Sequence, residues 1–343
     1  MLNHLRSNLL LLVLTVVLGC IVYPVILLVI GQTLFHDKAE GSLIVDKDGK
    51  PIGSSLIAQP FTGEGYFQPR PSAASYNAAG SGASNWGANN YLLRDRVARI
   101  IGPIVKYRSG PKKGELVGPD VETWLQHDQY QGQPGIVAQW AGAHSSLAAS
   151  WAKTDQHPLE AAYVMGWMNN HPDELGQWKK DNPANAEPKA EDLAVAFFAS
   201  FSKEQPGKFP MAVDSASADS KTEKKIEPVK QGSDIQAIFF DMWRQEHAAA
   251  DLEPVPADMV MSSGSGLDPH ITLKNALYQL DRVATRRAAD AQRDVSQVRK
   301  EIEEILNQSK TAPLGGLVGV DLVNVLEINL ALREKYESGA ETK

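Results

Sequence analysis

The stretch Leu9 to Ile30, LLLLVLTVVLGCIVYPVILLVI, runs 22 residues without one charged side chain. A helix rises about 1.5 Å per residue, so this run spans roughly 33 Å, close to the roughly 30 Å hydrocarbon core of a bilayer. No second run of this kind occurs in the chain. The sequence therefore predicts a tail over 1–8, one membrane-crossing helix over 9–30, and all that follows on one side of the membrane. Two other readings use the same residues. A cleaved signal peptide needs a shorter apolar region and a small-residue cleavage site; GQTLFHDKAEGS, which follows, holds none. Val17-Leu18-Gly19-Cys20 has the form of a lipobox, which would make the chain a lipid-anchored extracytoplasmic binding protein. Ten apolar residues follow Cys20, however, where a mature lipoprotein turns small and polar. Length and flanks favour the retained helix, with a kink at Pro24.

Orientation follows from the Lys and Arg residues nearest the span. Arg6 and the free amine precede it, and Lys38 follows among Asp37 and Glu40. The balance leans toward a cytoplasmic N-terminus, and long domains translocate largely regardless of charge. The chain carries a formal net charge of −7. That argues against a nucleic-acid partner, because phosphate binding needs a basic patch. The one cysteine, Cys20, lies inside the span, so no internal disulfide can form.

After the span, two short apolar runs, Leu43-Ile44-Val45 and Leu56-Ile57, flank Asp48-Gly49 and predict a β-hairpin. A calcium loop at Asp46–Gly49 would need further oxygen ligands and a distal Glu, which are missing. Tyr66 to Gly87 holds Pro69, Pro71, Gly82 and small polar residues, a turn-rich loop in which Arg70 sits between two prolines. Six of the seven tryptophans fall between Lys106 and Glu253. One-face spacing predicts helices over Pro134–Ala152 and Leu193–Phe201, with the tryptophans in a helical core. His127, His144, His157, His171 and His247 are too far apart for a metal site and read as loop residues. Lys203 to Asp234 is charged and serine-rich and reads as a mobile linker. Farther on, Asp268 and Pro269 are placed to cap and start a helix, with Leu273, Leu277, Leu280 and Ala284 on its apolar face. Asp294 and Gln297 form a capping-box pattern for a second helix. Val320 to Leu332 suits a central strand or a buried helix start.

No catalytic pattern emerges. Gly264-Ser265-Gly266 is too short for a G-x-S-x-G elbow, and no G-x-x-x-x-G-K-[ST] loop occurs. An Asp-Lys-Thr-Gly-Thr phosphorylation sequence is absent too. The residues alone point to an accessory or binding protein.

At several ordered stretches the chain resembles the C subunit (KdpC) family of potassium-transporting P-type ATPase complexes. These are the N-terminal span, GSLI and IGSSLIAQ within 41–59, YFQPRPSA and YN within 66–77, SGASN at 81–85, SGSGLDPHI at 263–271, QLDRVA at 279–284 and VNVLEINLAL at 323–332. Ala83, Trp86 and Tyr91 depart from the family's usual residues. The larger departure is 108–252, which stands where the family has a short connection. The resemblance implies a single N-terminal transmembrane helix plus an α+β soluble domain carrying a mainly helical insert. Its parts are 31–107 and 253–335 of the outer domain, the insertion 108–252 with its mobile linker 203–234, and a tail at 336–343. It implies a non-catalytic subunit of a high-affinity ATP-driven potassium uptake complex that assists the ATPase subunit by raising its ATP affinity. The implied partners are that ATPase subunit, a potassium-channel-like subunit and the lipid bilayer. No cofactor is bound by this chain itself; ATP acts through the ATPase subunit, and K+ is the transported ion. The implied location is the inner membrane, with the soluble domain in the periplasm. Arg70, Ser84, Asn85, Asp268, His270, Gln279 and Arg282 are the implied subunit-interface or functional surface.

Overall fold

The computed structural model describes residues 2–46, 48–128, 134–185, 187–216 and 222–337. Helix α1 (Leu2–Val17) passes through a π turn (Leu18–Val22) into α2 (Tyr23–Leu34). The Tyr23 amide reaches back five residues to the Leu18 carbonyl. Pro24 has no amide hydrogen to give, and the widened turn just before it is where the helix absorbs that loss. The helix is thus continuous through Cys20, and His4–Leu34 is long and apolar enough to cross a membrane. It breaks at Phe35 (φ −135°, ψ 40°). A single turn, α3 (His36–Ala39), then folds back, so that Gln32 Nε2 donates to Glu40 Oε1 at 2.9 Å. Strands β1 (Leu43–Val45) and β2 (Pro51–Ser54) form the expected antiparallel hairpin. Its second strand is Pro51–Ser54 and not Leu56-Ile57. The Ser54 hydroxyl donates to the Gly41 carbonyl and accepts from the Leu56 amide, turning the chain there. Asp46 Oδ1 accepts the amides of Asp48 and Lys50, so this carboxylate builds a turn.

Residues Trp86–Val255 form one compact unit. Its helices are α4 (Tyr91–Ile101), α5 (Gly118–Gln126), α6 (Ile136–Ala143), α7 (Ser145–Trp151), α8 (Pro158–Asn170), α9 (Pro172–Asp181), α10 (Ala190–Glu204) and α11 (Ser233–Glu246). Strands β3 (Phe209–Ala216) and β4 (Thr222–Val229) lie between α10 and α11. Helix α10 is the centre: Leu193, Ala194, Phe197, Phe198 and Phe201 are fully buried, and α6 to α9 pack around it. Trp140 meets Phe198 and Phe209 edge-on, each with ring centres 5.3 Å apart. Such pairs add to the burial of large aromatic surface.

The mobile linker expected over 203–234 is corrected here. α10 runs to Glu204, and β3 and β4 then pair along their whole length, Phe209↔Val229 to Ala216↔Thr222. Apolar residues are few in this stretch, but they alternate. Phe209, Met211 and Val213 share one face of β3, and Phe209 and Ile226 are buried. Pro210 stands opposite Pro228. Neither can donate, so theirs is a non-hydrogen-bonded pair whose nitrogens face the outer edges, which discourages further strand pairing. The hairpin tip, 217–221, lies outside the described residues. The unit also begins earlier than 108, because α4 packs against α11.

The described residues of 1–85 and 256–343 form the other unit. After α12 (Ala257–Val260), β5 (His270–Thr272) leads into α13 (Leu273–Ala291), followed by α14 (Val295–Ser309), β6 (Leu322–Asn324) and α15 (Val325–Tyr336). β5 and β6 are antiparallel, with His270 opposite Asn324. The core joins Phe67, Ile271, Leu280, Val283, Val298, Ile302, Ile328 and Leu332. Asp294 caps α14 by accepting from the Gln297 amide at 2.9 Å, as its sequence pattern predicts. Asp268 does not cap α13: the strand β5 intervenes, and Thr272 caps the helix by accepting from the Asn275 amide. The apolar stretch at 320–332 is both a short strand and a helix start. Of the expected tail, 338–343 lie outside the described residues.

These boundaries make a prediction. Joining Asn85 to Pro256 through a short Gly-Ser linker should leave a folded remainder, measured by circular dichroism and size exclusion in detergent. Joining Pro111 to Glu253 instead strands α4 without α11 and exposes Ala98 and Val105, both buried now. That version should aggregate.

Candidate functional site

Among the described residues the segment Glu64–Gln68 pairs with no strand, yet each of its carbonyls has a partner. Arg282 donates to Glu64 O at 2.6 Å and to Tyr66 O at 3.0 Å. Arg287 Nε donates to Gly65 O at 2.8 Å. Asn329 takes both groups of Phe67: its Oδ1 accepts the amide at 2.9 Å and its Nδ2 donates to the carbonyl at 2.8 Å. Gln279 does the same for Gln68, at 2.8 and 3.1 Å. Side chains of α13 and α15 thereby imitate the neighbouring strands of a sheet. Asn329 is fully buried, so its two bonds replace water that cannot enter. Arg287, also buried, lies over the Tyr66 ring at 4.5 Å and pairs with Glu337 at 2.6 Å.

The network continues outward. Gln279 Nε2 donates to Asn275 Oδ1, and Asn275 Nδ2 donates to Asp258 Oδ2. The same Asp258 carboxylate accepts the Thr272 amide at 2.8 Å, fixing the start of α13. On the other side, Arg70 turns its fork inward. Nη2 donates to the Ser262 carbonyl at 3.1 Å, and Nη1 lies 3.5 Å from Asp268 Oδ2. The Tyr76 hydroxyl donates to the Arg70 carbonyl at 2.9 Å. Asp268 Oδ1 accepts the His270 amide at 3.0 Å and faces its Nδ1 at 3.2 Å. That contact with His270 holds the Asp268 carboxyl below its ordinary range, and the carboxylate in turn raises His270.

The loop carrying Ser262 to His270 is sewn to residues 58–84. Leu267 O accepts from Ala58 N at 2.8 Å, Ser265 O from Gly82 N at 2.9 Å, and Gly266 O from the Ser72 hydroxyl at 2.6 Å. Gly266 has φ +70°, and a Cβ there would fall 2.7 Å from the Gly82 carbonyl oxygen. Only glycine fits that close crossing. The Ser84 and Ser262 hydroxyls lie 3.2 Å apart. Asn85 adopts the left-handed conformation, φ +52°, which its short polar side chain tolerates.

Of the residues singled out by the sequence, Arg70, Asp268 and His270 come together, with Ser84 beside them through Ser262. Gln279 and Arg282 serve the neighbouring segment 64–68, and Asn85 ends the loop. Arg70, Asp268, Gln279 and Arg282 bind the protein's own backbone, whereas Ser84 meets the Ser262 hydroxyl. Sequence reasoning missed Asn329, Arg287, Asn275 and Asp258. Asn329 had a signal: an amide in the apolar run VNVLEINLAL must be either exposed or fully bonded.

The histidines of the other unit also differ from the loop reading. His144, His171 and His247 each end a helix, with Nδ1 at 3.1, 2.8 and 2.8 Å from the carbonyl of a tryptophan four residues earlier. The His171 and His247 rings stack on those tryptophans, with ring centres 4.6 Å apart. They close helix C-termini, and the Trp167 carbonyl and Glu204 raise His171 above the ordinary imidazole range. Among the described residues no group of three His, Cys, Asp or Glu could hold a metal ion.

One long apolar helix, a small α+β unit and a network spent on its own main chain define a helix-anchored structural or interaction protein. The family model described as "K+-transporting ATPase, c chain" matches residues 5–121 and 210–334, and the chain belongs to that family, KdpC. The chain is 36% identical over 137 residues to the potassium-transporting ATPase KdpC subunit of Pseudomonas syringae pv. tomato, a match covering 39% of this chain and 72% of that one. For the KdpC subunit of Koribacter versatilis the figures are 43% over 110 residues, 32% and 56%. For that of Rhodospirillum rubrum they are 49% over 103 residues, 29% and 53%. The aligned stretches thus span between about half and three quarters of these relatives. The family model passes over 122–209.

Two outcomes follow. Asn329→Ala strands two buried backbone groups of Phe67, at about 1–3 kcal/mol each, and should lose about 2–6 kcal/mol in urea unfolding followed by Tyr and Trp fluorescence. Gln279→Ala strands the part-buried groups of Gln68 and should lose less. The pair Asp268–His270 gives a pH signature. A lowered carboxylate stabilises above its unfolded value and a raised imidazole below its own, so the contribution is complete between about pH 4 and 6.5. It falls as pH rises through the folded His270 value. In thermal melts from pH 5 to 8.5, His270→Gln should lose that slope.

Proposed function

We propose that the chain is an accessory, non-catalytic subunit of an ATP-driven potassium uptake complex. One observation carries this reading: the two segments matched by the family model include both halves of a single structural unit, whose polar side chains are committed to holding its own backbone. A nucleophile beside a base, a nucleotide cradle or a metal cluster would argue otherwise, and the described residues offer none of recognised form. The partners are an ATPase subunit and a potassium-channel-like subunit. Arg70, Ser84, Asn85, Asp268 and His270 shape the surface offered to them by fixing the loop at 262–270, while Gln279 and Arg282 position the segment beneath it. The N-terminus is cytoplasmic and the soluble units lie outside, in the periplasm. Any gain in the ATPase subunit's affinity for ATP then passes through the membrane-embedded subunits.

Co-expression with the other subunits tests this. The chain should co-purify with them, and potassium-stimulated ATP hydrolysis should require it, whereas the chain alone should hydrolyse none. Full assembly and activity without it would overturn the reading. In intact spheroplasts, a cysteine placed at exposed Val295 should react with a membrane-impermeant maleimide. Protection until the membrane is opened would reverse the topology.

A further inference from the structure

The hairpin that follows the span carries its apolar side chains on the wrong face for a water-soluble domain. In β1, Ile44 is half-buried, while Leu43 and Val45 are 52% and 54% exposed. Pro51, opposite Val45, is exposed as well. Strand alternation puts Leu43 and Val45 on one face, and cross-strand pairing adds Pro51. A hairpin whose outward face is apolar needs a covering.

The fold-back at Phe35 says at what height that covering lies. A straight helix would carry Ala39 about 12 Å beyond Gly31. Instead a Cβ built on Gly31 falls 3.7 Å from the Ala39 Cβ, and Gln32 bonds Glu40. The Ser42 amide then donates to the Asp37 carbonyl at 2.6 Å, and Ser54 ties back to Gly41. Ala39 therefore lies beside Gly31, and the hairpin starts next to α3, close to the end of the span at Leu34. Leu34 and Phe35, at the turn itself, are 71% and 54% exposed. Asp37, Lys38 and Glu40 are exposed on the same stretch. Apolar side chains intermixed with charges at this level suit the headgroup boundary, where both find partners. The unpaired edges of a two-stranded hairpin are tolerated there, because water reaches that depth, and not in the hydrocarbon itself.

We infer that the β1–β2 hairpin, with Leu34 and Phe35, is a membrane-interface foot: a second contact with the lipid boundary that fixes the tilt of the unit above the helix. The inference rests on reading His4–Leu34 as a span, not on membership of the potassium complex. The occupant is lipid because the face is level with the bilayer boundary and continuous in sequence with the span.

The test uses the full chain carrying Cys20→Ala, with a single new cysteine by Leu43→Cys, Val45→Cys or Val295→Cys, labelled with an environment-sensitive fluorophore. The variants go into vesicles of phosphatidylcholine and phosphatidylglycerol, without other subunits. Probes at 43 and 45 should be quenched by lipid brominated near the headgroup, and roughly threefold less than the probe at 295 by aqueous iodide. Equal iodide quenching at all three sites overturns the foot. So does protection at 43 and 45 that appears only once the other subunits are added, which would assign the face to a protein. Failure of the chain to float with the vesicles overturns the span itself, and the foot with it.

Discussion

A backbone segment without a sheet must find its hydrogen bonds elsewhere or stay in water. Glu64–Gln68 is such a segment, and Phe67 within it is buried in the core. The solution is a row of long side chains: Arg282, Arg287, Gln279 and Asn329. Each reaches from a helix and meets the main chain. Because Asn329 and Gln279 each satisfy both groups of one residue, the segment has one register and no alternative. That register sets where Arg70 stands, and Arg70 in turn fixes the loop that carries Asp268 and His270. The hydrogen bonds run unbroken from Gln68 through Gln279 and Asn275 to Asp258, while Arg287 Nη2 is buried without a hydrogen-bond partner among the described residues; connected buried polar groups of this kind specify a structure.

The same interaction explains how one structural unit holds together although Trp86–Val255 lies between its two halves in sequence. Its bonds join residues near 67 to residues near 280 and 329, and a longer chain between them raises the cost of closure only slowly. The unit at Trp86–Val255 has its own aromatic core around α10 and draws nothing from that network.

Local chemistry made much of the fold legible. The span, the Asp48-Gly49 turn, the Asp294 cap and the aromatic core all follow from neighbours within a few residues. The rest was hidden by distance or by weak local signals. Asn329 serves Phe67 from 262 residues away, and no spacing rule reports that. Asp268 looked like a cap because Pro269 follows it, but pairing of His270 with Asn324 took the next three residues into a strand. The hairpin at 209–229 was obscured by its composition, since charged and small residues separate its few apolar anchors, Phe209, Pro210, Met211 and Ile226. Of the site, the residue types were legible; their use in holding main chain, rather than facing outward, was not.

The bond pattern at the neck of the inserted unit has a consequence for how the chain is made. Lys106 O accepts from Glu253 N at 2.8 Å, and Asp251 O accepts from Arg108 N at 2.9 Å. Once this unit has folded, its entry and exit strands are clasped. Segment 64–68 emerges early but waits for Gln279 and Asn329, an interval of roughly 13–50 s at ordinary synthesis rates of about 5–20 residues per second. The unit between can fold during that wait. Its clasp shortens the chain to be closed from about 210 residues to about 65, which lowers the loop-closure entropy by about 1 kcal/mol. The insertion thus acts as a clip on a long loop, easing the late assembly of the domain that it interrupts.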